Sequence, residues 1–131
     1  MANGTIAFDT LSTSGQISGT AVSVDADYLA YGSAKSWVNF NGTGTIASRD
    51  SFNTASLTDN GTGNYTQTFT FAMSNDDFSL TGGISESGVG GQSRIVLGDG
   101  KSTTTATILS YNAGSATDYM FIATTAHGDH A

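Results

Sequence analysis

The chain's two histidines, His127 and His130, stand three residues apart within its last five positions. Imidazoles at that spacing can converge on a transition metal. The end of a small domain is ordinarily poorly ordered, so the segment reads first as a tail and no metal is expected there. Asp25-Ala26-Asp27, Asp76-Asp77 and Gly98-Asp99-Gly100 could offer oxygen to a hard cation. None has the spaced ligands and closing glutamate of a calcium loop, and they read as solvated loop acids. Glu86 is the only glutamate, with no second acid at a spacing informative for glycoside hydrolysis. Serines abound, but no internal histidine stands ready to activate one. Gly88-Val89-Gly90-Gly91 lacks the lysine of a phosphate-binding loop. With no cysteine, disulfides and thiolate metal sites are excluded. The expectation is a protein that is not an enzyme and takes no cofactor.

Aromatic side chains are the remaining chemistry. Most of them, Trp37 and Phe69 included, are expected in the core, because the chain has few leucines to fill one. Tyr111 and Tyr119 differ in flanking a polar loop, Asn112 to Asp118. A tyrosine beside such a loop can stack on a sugar or a protein receptor, or simply mark the boundary of the core. Tyr111, Asn112, Asp118 and Tyr119 are therefore the candidate receptor-binding residues. The glycine- and serine-rich stretch Ser85 to Gln92 is expected beside them on an outward surface in the C-terminal half.

The elements that must position these residues are strands. Charged residues are 11% of the 131, well under the roughly 25% of an ordinary domain, and Thr, Ser, Asn and Gly take their place. Such a chain has many β-branched residues and turn formers but few helix formers. Strands are read at Ser36 to Phe40, Tyr65 to Phe71, Phe78 to Leu80, Arg94 to Leu97, Thr103 to Tyr111 and Tyr119 to Ala123. Asn41-Gly42, Asn60-Gly61, Gly82-Gly83 and Gly98-Asp99-Gly100 read as turns or loop tips. The Asn-X-Thr triplets match a glycosylation pattern but are better explained as turn chemistry. In Tyr65 to Phe71, Gln67 interrupts an otherwise apolar face. The short alternating segments Thr5 to Asp9 and Ala21 to Asp25 are too polar to close a core alone. The expected architecture is all-β: one β-sandwich or jelly-roll-like domain over residues 36–131, with a short N-terminal anchoring and oligomerisation arm over 1–35.

A net charge of -7, from 4 basic and 11 acidic residues, opposes phosphate backbones and anionic membranes, so no nucleic-acid partner is expected. No apolar run approaches the ~18 residues of a spanning helix, and no signal peptide is read after Met1, so membrane insertion is not expected.

Lys35-Ser36-Trp37-Val38-Asn39-Phe40-Asn41-Gly42-Thr43-Gly44-Thr45, then Arg49-Asp50-Ser51-Phe52-Asn53, then Thr58-Asp59-Asn60-Gly61-Thr62-Gly63-Asn64-Tyr65-Thr66, resembles a module of tail-fibre and related virion proteins of tailed bacteriophages, especially marine ones. The opening Met1 to Leu11 is similar to the start of short fibre-like proteins of such phages. The resemblance covers roughly the first 75 residues and brings no catalytic residue with it. It implies a β-rich, homotrimeric virion component, assembled in the host cytoplasm with other virion proteins, that binds a host surface glycan or protein. A capsid decoration protein and a free carbohydrate-binding module are the alternatives.

Overall fold

The computed structural model describes residues 16–18, 23–85 and 94–128. The chain divides into two compact units, Met1–Gly32 and Ser33–Ala131. In the first, strands β1 (Gln16–Ser18) and β2 (Ser23–Asp25) pair antiparallel, with Ile17 opposite Val24. A short helix, α1 (Ala26–Gly32), follows directly. The alternation over Ala21 to Asp25 and the shortage of helix formers give no expectation of a helix here. An aspartate before the first turn and a glycine at its end are favourable terminal residues for one. The strand expected over Thr5 to Asp9 lies outside the described residues.

The second unit contains β3 (Ser36–Asn41), β4 (Ala47–Phe52), β5 (Ser56–Gly61), β6 (Asn64–Thr68), β7 (Ser79–Ser85), β8 (Arg94–Lys101), β9 (Thr105–Asn112), β10 (Ser115–Ala116) and β11 (Phe121–His127). They form two antiparallel sheets packed as a sandwich, which makes the fold all-β as expected. One sheet has the order β4-β3-β11-β7; in the other, β5, β6 and β9 are neighbours, and β9 also pairs with β8 and β10.

Period-two alternation explains why these segments are strands. In β3, Ser36, Val38 and Phe40 are buried while Trp37, Asn39 and Asn41 are only partly so. Tyr65 and Gln67 point inward from β6, and Ala106, Ile108 and Ser110 from β9. The inner faces meet in two clusters, Val38, Phe40, Tyr65, Ile108, Tyr119 and Ile122, and then Phe69, Met73, Phe78, Ala106 and Ala126. Each is anchored by an edge-to-face aromatic pair, Phe40 with Tyr65 at 5.1 Å and Phe69 with Phe78 at 5.5 Å. Burying each large side chain contributes about 1.5–3 kcal/mol before ordering costs.

Gln67, the polar residue on that apolar face, is fully buried and bridges the sheets. Its Nε2 donates to Ser36 Oγ at 2.8 Å and to Thr54 Oγ1 at 2.7 Å. Beside it, Asn53 adopts φ 53°. Its side-chain amide donates to Lys35 O and Phe71 O, and its Oδ1 accepts the Phe71 N–H at 2.7 Å. Buried polar groups joined in this way fix the strand register as well as satisfying one another.

Several turns fall elsewhere than their glycines suggest. Asn60-Gly61 is not the hairpin tip: Gly61 pairs with Asn64, leaving Thr62-Gly63 as the loop and a bulge before Gly61. Asp59 Oδ1 accepts the Gly61 N–H at 2.9 Å, and Asn60 Nδ2 donates to Thr66 Oγ1, so the strand pairing runs on past the expected turn. Asn41 likewise closes β3 with a side-chain turn onto Thr43, and the positive φ falls on Gly44. Gly82-Gly83 lies inside β7 and Gly98-Asp99-Gly100 inside β8, because partner strands β11 and β9 continue their ladders past them, with Gly100 left unpaired at a bulge with φ 57°. Two successive positive φ values, the mark of the tight hairpin turn that Asn-Gly favours, occur instead at Ala113 (48°) and Gly114 (88°), between β9 and β10. Gly61 nevertheless sits at φ 121° with open space where a side chain would stand. Gly61→Val is expected to destabilise the protein by at least about 1 kcal/mol through backbone strain alone. Chemical denaturation compared with wild type checks this, and an unchanged midpoint would refute it.

Candidate functional site

The outward face of the four-stranded sheet carries the most recognition chemistry among the described residues. Register places its residues in rows. Phe52, Trp37, Thr125 and Thr81 form one, Asp50, Asn39, Ala123 and Gly83 the next. Phe121 and Ser85 stand opposite one another beyond these. Phe52 is 51% and Phe121 37% exposed, and Trp37 is half-buried. Apolar rings left in water on a sheet face flanked by amide and hydroxyl groups mark a surface suited to a partner.

The face has relief as well as composition. A groove of about 360 Å³ is lined by Asn39, Gly83, Ile84, Ser85, Phe121 and Ala123. Its floor is the row Asn39-Ala123-Gly83, where small residues on β11 and β7 leave the backbone uncovered. Phe121 and Ser85 belong to its wall. Arg49, at the bulge of edge strand β4, reaches across β3 and sets its guanidinium carbon 4.3 Å from the Phe121 ring centre. That cation–π contact restrains both side chains. Asn39 Oδ1 is buried and makes no hydrogen bond. An unmet buried acceptor costs about 1–3 kcal/mol, so it is a feature to be explained.

The residues expected to bind a receptor are not gathered into such a surface. Tyr119 is 1% exposed and belongs to the larger core cluster, while its carbonyl accepts the Gly42 N–H at 2.9 Å. Its expected outward position is corrected: the connector before β11 turns its ring inward, where it packs with Val38, Phe40, Tyr65, Ile108 and Ile122. Asp118 is half-buried and engaged internally, with Oδ1 accepting the Gly63 N–H and the Tyr65 hydroxyl, each at 2.7 Å. Tyr65 holds its proton well above the usual phenol range, first because it is buried, then because of the hydrogen bond to Asp118 and that residue's charge. Asp118 thus ties the connector to the β5–β6 loop. Tyr111 and Asn112 are half-buried on β9, paired with Ala116 and Ser115 of the short β10. Of Ser85 to Gln92, only Ser85 is among the described residues, and it is exposed. His127 is exposed at the end of β11, and His130 lies outside the described residues. Trp37, expected in the core, stands on the outward face.

Two signals could have found this face. The alternation in Ser36-Trp37-Val38-Asn39-Phe40 already sets Trp37 and Asn39 opposite the apolar Val38 and Phe40. Gly82-Gly83, read as punctuation, marks instead a strand stripped of side chains. Compared with family models, with curated proteins and with solved structures, the chain matches none.

Proposed function

We propose that the chain is a structural and adhesive component of a tailed-bacteriophage virion, a tail-fibre or fibre-tip subunit that binds the host cell surface. The observation that carries this reading is the placement of the phage-like module. Its residues Trp37, Asn39 and Asn41 alternate outward on β3, beside Phe52 and Phe121, on a sheet face rich in rings and amides. The intervening Val38 and Phe40 hold that face rigidly from beneath, as an attachment surface requires. The low charge of the chain suits sheets that meet neighbouring subunits without ion pairs. A homotrimer assembled with other virion proteins is the form the reading carries, and its role is binding and structure rather than catalysis.

Antibody raised against the purified chain should decorate the tail fibres of phage particles that encode it, as seen by immunogold electron microscopy, and should block their adsorption to host cells. Gold confined to the head would replace this reading with capsid decoration. Particles bearing no label after detergent-free preparation would remove the virion assignment altogether.

A further inference from the structure

We infer that the groove over Asn39, Ala123 and Gly83 is a subsite for one ring of a neutral glycan. The inference rests on the adhesive reading above and names its ligand and its place.

Size is the first argument. At about 360 Å³, the groove lies at the low end of the roughly 300–1,000 Å³ typical of small-molecule sites. A protein partner would instead cover roughly 800 Å² of surface and would not need a recess floored by bare backbone. A pyranose ring is the kind of body that such a recess admits.

The lining chemistry then selects among small ligands. A sugar ring has an apolar C–H face and an equatorial rim of hydroxyls. Arg49 covers one face of the Phe121 ring, and the part of the ring that lines the groove supplies a surface for the first. Asn39 and Ser85, on opposite sides of β11, supply amide and hydroxyl groups for the second. Asn39 Oδ1 has no hydrogen-bond partner, and amide torsions are broad. Turning that amide about its broad terminal torsion would bring it to a ligand hydroxyl, and the unmet acceptor is what such a turn would relieve. The net charge of -7 opposes acidic ligands, while at the groove itself the Arg49 guanidinium over Phe121 and Asp50 in the row of Asn39 offset one another. The mid-strand glycine has a purpose in this arrangement. A Cβ at Gly83 would meet nothing within 4 Å, so packing does not demand glycine there, whereas an open groove does.

The test uses the full chain on an array of immobilised neutral oligosaccharides built from glucose, galactose, mannose and N-acetylglucosamine, with uronic- and sialic-acid glycans as the charged arm. Wild type should bind at least one neutral glycan, and amide NMR shifts on titration should centre on Gly83 and Ala123. Gly83→Val, which fills the groove from a strand-compatible position, and Phe121→Ala, which removes the stacking surface, should each weaken binding at least about tenfold with the fold intact. Binding confined to acidic glycans, binding unchanged in both variants, or no glycan bound at all would overturn the assignment. The immunogold experiment separates this inference from the reading beneath it. Labelled fibres with no neutral glycan bound would sink the subsite alone. A glycan held at Gly83 by a chain found on no particle would sink the virion reading and leave a free carbohydrate-binding module.

Discussion

Gly63→Ala is expected to destabilise the protein by at least about 3 kcal/mol, whereas Gly44→Ala, at the same backbone angle, should cost about 1–2 kcal/mol. Both glycines have φ 64°, a region that side chains enter at a penalty. They differ in what surrounds them. A Cβ on Gly44 would meet nothing within 4 Å. On Gly63 it would stand 2.5 Å from the Ser110 carbonyl oxygen and 2.7 Å from the Thr117 nitrogen. Those are backbone atoms already committed to one another and to the loop: Ser110 N–H donates to Gly63 O at 2.8 Å, and Thr117 N–H to Ser110 O at 3.0 Å. Neither can retreat without breaking the junction of β6, β9 and β10. At about 4–8 °C per kcal/mol for a domain near this size, Gly63→Ala should lower Tm by roughly 12 °C or more. The Gly44 variant serves as the control for backbone strain. Equal losses in the two variants would mean that the close approach at Gly63 is not real.

That loop also separates what local pattern determines from what only pairing between distant strands determines. Alternation is a local signal, so β3, β6 and β9 were legible to within a few residues, together with the faces that Phe40, Tyr65 and Phe69 would occupy. Glycine is ambiguous in a way that alternation is not. Gly82, Gly83 and Gly98 punctuate the sequence like turns, yet their partners on β11 and β9, distant in sequence, draw them into ladders. Asn41 closes β3 as its dipeptide suggests, but Asn60 lies within β5; the side chains of both bind nearby groups, and the positive φ falls on Gly44 in one case and on Gly61 and Gly63 in the other. Gln67 was visible as an anomaly. Its explanation needed Ser36 from the other sheet and Thr54 from the β4–β5 link, which no local pattern reveals. The candidate site suffered most. Tyr111 and Tyr119 flank a polar loop symmetrically in sequence, and only the course of the connector turns Tyr119 into the core. The outward face was latent in the spacing of Trp37 and Asn39, but its groove is assembled from three strands that are neighbours only in space.

Asp118→Ala should then act as a core mutation and not as a loss of receptor contact, lowering stability by about 2–4 kcal/mol. Its Oδ1 is the shared acceptor for the Gly63 N–H and the Tyr65 hydroxyl, and its removal leaves the Gly63 N–H without an acceptor and the hydroxyl with only the longer contact to Gly42 O. The Tyr65 oxygen also lies 3.0 Å from Gly42 O, but its single proton is drawn to the closer, charged acceptor. The same contact sets an alkaline limit on the fold. Burial first, and then Asp118 through its hydrogen bond and charge, raises the Tyr65 pKa above its unfolded value of about 10. The folded state therefore keeps a proton that the unfolded state gives up. Its contribution is fully present below about pH 10 and declines as the pH rises beyond that value. Thermal melts of wild type from pH 8 to 11 should show Tm falling at the alkaline end. Tyr65→Phe, less stable at neutral pH, should fall less steeply there because the ionising group is gone. Asp118→Asn, which keeps an acceptor but loses the charge, should lie between the two. Parallel pH profiles for wild type and Tyr65→Phe would show that this hydroxyl is not a buried donor. An Asp118→Ala protein that melts like wild type would return Asp118 to the surface as a residue free to bind.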